Sequence, residues 1–91
     1  MKPRFQLQIM SLKGILFEDM VESVYLTGDD GEFELLAFHY PLVASLPPGD
    51  IQIMGHDSIP VMGGVLCFKE NVCRMIVESD PRFKNYHTSW E

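Results

Sequence analysis

Few residues in this chain are equipped for chemistry, and their spacing supports little of it. His39, His56 and Asp57 are the set that a small β fold could gather at one end to hold a metal ion, but the ligand spacing such a site needs is missing. Read alone, His39 is a hydrogen-bonded loop histidine, and His56 and Asp57 belong to a solvated hairpin loop. No serine or cysteine stands in a Gly-x-Ser-x-Gly elbow, and no glycine-rich loop leads into a helix that would hold phosphate. The expectation is therefore no catalytic residue, no cofactor and no metal. The chemistry that remains is surface recognition. Asp29, Asp30 and Glu32 place negative charge around a turn, and Phe38, His39 and Tyr40 set aromatic area beside it.

Cys67 and Cys73 flank a short turn and invite a disulfide reading. With Glu70 and Asn71 at the turn centre, Cys67 falls opposite Arg74 and Cys73 opposite Phe68. Directly opposed residues share a face, so the two sulfurs are expected on opposite faces of the sheet, unbridged. Cys-x5-Cys without a second pair is not a zinc spacing either.

The elements that position these residues read as strands. Phe5 to Ile9 alternates apolar and polar strictly; Lys13-Gly14 turns, and Ile15-Leu16-Phe17 restarts the chain. Val21 to Thr27 alternates again, and the Gly28-Asp29-Asp30-Gly31 turn opens a strand from Glu32 to Ala37. Pro41 and Pro47-Pro48-Gly49 bracket a short segment at Leu42 to Ala44. Asp50 to Met54 alternates, a loop follows at 55–58, and Ile59 to Met62 begins a run that Gly63-Gly64 bends before Val65 to Phe68. After a turn at 69–72 the last strand runs from Cys73 to Val77. No window of helical length keeps a 3.6-residue period. The predicted fold is all-β, a two-sheet sandwich or flattened barrel of about ten short, mostly antiparallel strands. Prolines 3, 41 and 60 are expected at strand starts or edges.

Length and charge bound the rest. Ninety-one residues make one domain, divided here into a sandwich at 1–80 and a tail at 81–91 whose Phe83, Tyr86 and Trp90 either lie along the sandwich or await a partner. A net charge of −6 argues against non-specific nucleic-acid binding and permits a basic protein partner. No apolar stretch approaches the ~20 residues that cross a bilayer, and Met1-Lys2-Pro3-Arg4 leads into a strand, not a signal peptide. No direct membrane insertion is expected.

Residues 5–80 resemble the N-terminal sandwich of the epsilon subunit of rotary F-type ATP synthases. Phe17-Glu18-Asp19 resembles its F-x-G/D step, and Gly31-Glu32-Phe33 its G-E-F/L core; His39, Pro41 and Leu42 match H-x-P-L, and Pro48-Gly49 the P-G turn. Gly63-Gly64 followed by Asn71-Val72 and a final strand fits the closing hairpin. The chain departs at Glu34, where the family commonly has Gly, and at Ala37-Phe38, where Pro-Gly often precedes the His. A loop of different shape and more apolar character is expected there.

The resemblance implies a non-catalytic coupling part of the central stalk, linking the gamma subunit to the c ring during ATP synthesis driven by ion transport. One sandwich face would grip gamma. Asp29, Asp30, Glu32, Phe38, His39 and Tyr40 would face the c ring, with Glu32 paired to a basic side chain there. The protein would then sit on the cytoplasmic face of a bacterial inner membrane, held through the complex. The family usually continues into a helical hairpin that inhibits hydrolysis and in some members binds ATP; since the chain stops at Glu91, neither inhibition nor ATP binding is expected. The alternative is a stand-alone β-sandwich interaction module in another assembly.

Overall fold

In a computed structural model, residues 2–28 and 30–83 are described, and they form eight strands. These are β1 (Phe5–Ser11), β2 (Gly14–Val21), β3 (Ser23–Gly28), β4 (Gly31–Leu36), β5 (Leu42–Leu46), β6 (Gly49–Ile53), β7 (Ile59–Lys69) and β8 (Val72–Ser79). Alternation explains the first: Phe5, Leu7 and Ile9 are sealed from solvent while Gln6, Gln8 and Met10 lie on the other face. A bulge where β1 meets β2 then points both Leu16 and Phe17 at the core.

Hydrogen bonding runs in the order β2-β1-β8-β7-β6-β3-β4, with β5 added to β7. The β1–β8 pair is parallel, and the other pairs are antiparallel. β6 serves two layers: Gly49, Asp50 and Ile51 pair with β7, while Gln52 and Ile53 pair with β3. The sandwich is thus one continuous sheet folded over at β6, and its strands number eight rather than about ten.

The predicted bend at Gly63-Gly64 lies inside β7 and does not divide it. Before it Ile59 and Val61 point inward; after it Leu66 and Phe68 do. Odd and even positions exchange roles because the bulge between Val61 and Gly64 inserts an extra residue. Gly63 adopts φ 126°, and a side chain at Gly64 would run into the β8 backbone at Val77 Cα, 2.8 Å from its Cβ. These two positions let one strand serve β6 with its first half and β5 with its second.

Phe5 and Phe68 meet at the centre of the core, ring centroids 5.3 Å apart. The described chain leaves the sandwich at Asp80, which is buried and whose carboxylate accepts the Arg82 backbone N–H at 2.8 Å and the guanidinium at 3.0 and 3.1 Å. These bonds with Arg82 hold the Asp80 carboxyl below its usual range. Phe83 packs against the core; Tyr86, His87 and Trp90 lie outside the described residues.

Candidate partner-binding surface

Two loops carry the acidic and aromatic residues singled out in the sequence. The first is the β3–β4 hairpin tip, flanked by the paired Gly28 and Gly31. Gly31 takes φ 116°, and a Cβ on Gly28 would come within 2.7 Å of the Phe33 ring, so glycine at 28 is what lets that ring lie along the tip. Asp29 lies outside the described residues.

The second loop spans residues 37–41. It turns on a 3.3 Å bond from the His39 N–H to the Leu36 carbonyl, with Phe38 in the left-handed region at φ 64°. A glycine would take that conformation freely; Phe38 takes it with strain. Asn71 holds it there. Its Oδ1 accepts the Phe38 N–H at 2.8 Å, its Nδ2 donates to the Arg4 carbonyl at 2.9 Å, and its own carbonyl accepts the Gln6 N–H at 3.2 Å. Asn71 itself sits at φ 62° in the β7–β8 turn, a conformation asparagine tolerates. The sequence marked Asn71 only as a turn residue; its part in the loop had no local signal.

His39 is half-buried. Its Nδ1–H donates to the Tyr40 carbonyl at 2.7 Å, since a carbonyl only accepts. The ring stacks on Tyr40 at 4.3 Å and meets the buried Phe68 edge-on at 5.6 Å. His39 therefore ties the loop to the core, leaving the rings of Phe38 and Tyr40 largely exposed.

Both loops open on one groove of about 520 Å³ between β4 and β5, lined by Asp30, Glu32, Glu34, His39 and Tyr40 among others. Phe38 stands outside its lining. Tyr25 donates its hydroxyl to Glu32 Oε1 at 3.2 Å, and that bond, with the charges of Glu32 and Glu34, raises the phenol above its ordinary value.

A second surface was not singled out in the sequence. On the outer face of β5, β7, β8, β1 and β2 the register aligns Val65, Ile76, Met10 and Ile15 in one cross-strand row. Val43 and Cys67 lie beside it, opposite each other. Val43 is 77% exposed, Ile76 57% and Val65 51%, while Met10 and Ile15 are half-buried, so the Val43–Val65–Ile76 end of this face is open to a partner. The available signal was the continuous apolar run in Val65-Leu66-Cys67-Phe68 and Met75-Ile76-Val77, which is how strands covered on both faces read.

The cysteines stand as their register required. Cys67 faces Arg74 and is exposed; Cys73 faces Phe68 and is buried, its thiol pushed up to about 12 chiefly by desolvation. His56 rests edge-on against Phe17 at 4.9 Å, away from the rings that hold His39. Among the described residues no three His, Cys, Asp or Glu side chains come together as a metal site, and no helix is long and apolar enough to cross a membrane.

Comparison with known proteins adds the following. A family model described as the β-sandwich domain of the ATP synthase delta/epsilon chain matches residues 4–80. The ATP synthase epsilon chain of Chelativorans sp. (strain BNC1) is 28% identical over 88 residues, covering 92% of this chain and 65% of that protein. Epsilon chain 2 of Nitrobacter hamburgensis is 30% identical over 79 residues, covering 84% and 58%. The chain thus spans less than two thirds of the length of these relatives. Two solved structures share the fold. One is a chain of the Tetrahymena thermophila mitochondrial ATP synthase central stalk and c ring, with TM-score 0.69, 12% identity, and coverage of 92% of this chain and 76% of that one. The other belongs to the Euglena gracilis mitochondrial ATP synthase, with TM-score 0.72, 19% identity, and coverage of 85% and 52%.

Proposed function

Because the chain belongs to the ATP synthase delta/epsilon β-sandwich family, we propose that it is a non-catalytic coupling piece of the central stalk. In this role it joins a gamma-type shaft to a c ring and turns with both, at a membrane it reaches through the complex. The observation that carries the reading is the outer-face apolar row, with Val65 and Ile76 exposed and Met10 and Ile15 half-buried, on an otherwise acidic domain. A rotor part needs a broad adhesive face on a stiff scaffold more than it needs a reactive group, and this face supplies one. We assign the row to gamma. Asp29, Asp30, Phe38, His39 and Tyr40, in the two loops, and Glu32, on β4, are assigned to the ring.

Full burial of a valine or isoleucine side chain contributes about 1.5–3 kcal/mol, and half-exposed ones retain on the order of 1 kcal/mol each for a partner to claim. Val65→Asp with Ile76→Asp also strands two charges in the contact, so binding to gamma should weaken by roughly a hundredfold or more. Co-purification with the gamma subunit from its own source is the test; a chain that binds no such gamma is not a stalk subunit. For the ring, Glu32→Ala combined with His39→Ala should lower the coupling of hydrolysis to ion pumping while the domain stays folded. An unchanged coupling ratio would remove those two residues from the role.

A further inference from the structure

We infer that the open edge of β4 is a strand-addition site for an extended segment that alternates basic and apolar residues. The sheet order ends on β4, which among the described residues pairs with β3 alone. In a two-residue hairpin the pair flanking the turn is the hydrogen-bonded kind, so Gly28/Gly31, Leu26/Phe33 and Val24/Leu35 exchange bonds across β3 and β4. The intervening Glu32 and Glu34 then direct their amides and carbonyls away from β3, and Leu36 its amide; the Leu36 carbonyl already accepts the His39 N–H. That array is a ready template for another strand.

The other edges are less suited. β2 is interrupted by the bulge at Leu16, and β5 is short and follows Pro41. β4 keeps unbroken register from Gly31 to Leu36 and borders the groove whose far wall is β5. A segment laid there has a floor as well as an edge. Its outward side chains would stand beside Glu32 and Glu34, and its inward ones beside Phe33 and the Leu42–Ala44 wall.

Charge selects the occupant. A second copy of this chain pairing edge to edge would bring Glu32 and Glu34 against the same residues of its partner, an arrangement directly opposed like charges disfavour. Lysine or arginine at alternate positions reverses that sign, and small apolar residues between them suit the groove. Which protein supplies the segment rests on the stalk reading; the recognition itself does not.

The test uses the full chain, isotope-labelled, titrated with the peptide acetyl-Lys-Val-Lys-Val-Lys-amide at low ionic strength. The Glu32, Glu34 and Leu36 amides should shift and exchange more slowly with solvent, while Val65 and Ile76 do not respond. The Glu-Val-Glu-Val-Glu peptide should bind at neither place. Glu34→Pro removes an outward amide together with the Glu34 charge and spares the bonds to β3, so affinity should fall by at least about fivefold, the ratio one lost backbone bond alone carries. If that variant does not fold, Glu34→Gln serves, with a smaller loss. Absence of protection at the three amides overturns the inference, as does a folded proline variant that binds undiminished or dimerisation of the chain through β4. Loss of peptide binding with gamma and ring contacts intact would discard this site and keep the stalk reading; the converse would keep the site and discard that reading.

Discussion

Replacing Asn71 by alanine is the sharpest test of how the groove loop is held. The side chain makes two bonds across the fold, accepting from Phe38 at 2.8 Å and donating to the Arg4 carbonyl at 2.9 Å. Net contributions of about 0.5–1.5 kcal/mol each put their loss at about 1–3 kcal/mol. Residue 71 also sits at φ 62°, where alanine costs about 1–2 kcal/mol more than glycine. Asn71→Ala should therefore cost about 2–5 kcal/mol and Asn71→Gly about 1–3 kcal/mol, the difference isolating backbone strain. Small domains hold only about 5–15 kcal/mol in total, so the effect is large. Urea unfolding reads it directly, with an unchanged m-value showing that the unfolded state is the same. A loss below about 0.5 kcal/mol for Asn71→Ala, or equal losses for alanine and glycine, would refute the reasoning.

Three further outcomes follow from the geometry. Phe38→Gly should stabilise the isolated domain by up to about 1 kcal/mol by relieving the left-handed strain at φ 64°, while weakening any partner contact made by the exposed ring; melting and binding measurements separate the two. Asp80 has a folded-state carboxyl below its unfolded value, so its contribution is present above the ordinary carboxylate range and is lost as pH falls through the depressed value. The stability gap between wild type and Asp80→Asn should accordingly narrow on acidification and be constant near neutrality, as read by unfolding at a series of pH values. Finally, a thiol reagent should modify Cys67 in the native protein at once and Cys73 only on unfolding, since burial pushes the Cys73 thiol up to about 12; two equally fast thiols would contradict the register.

What the chain announces locally is what its strands can do alone. Strict alternation at Phe5 to Ile9 predicts β1, the Glu70-Asn71 turn predicts opposite faces for Cys67 and Cys73, and Gly63-Gly64 predicts a bend; each is present. Long-range pairing had no such marker. The parallel β1–β8 contact joins the first strand to the last, and nothing in either strand names its partner. The same holds for the Asn71 side chain, whose partners lie 33 and 67 residues away. The outer apolar row was hidden for a different reason. The apolar runs around Val65 and Ile76 hint that those strands are covered on both faces, but only the register sets Val65, Ile76, Met10 and Ile15 side by side. Of the proposed ring-facing residues, Asp30, Glu32, His39 and Tyr40 come together at the groove, which sequence order alone implied for the two loops separately.

The two surfaces meet at β5, and that junction bears on how a coupling piece would work. Val43 lines the groove and also stands opposite Cys67 at the head of the outer face. Its neighbours Leu42 and Leu46 turn the other way, toward the core, while β7 holds the strand along its length. The loop leading into β5 is pinned by His39 against Phe68, the same β7 residue that packs on Phe5. A force applied to the groove therefore passes into β7 through a hydrogen-bonded strand pair and an aromatic contact, with no flexible linker between. Because close-packed cores transmit strain with little compression, groove and outer row are constrained to move together. A binding module with independent sites needs no such shared strand, whereas a part that carries torque from one partner to another does.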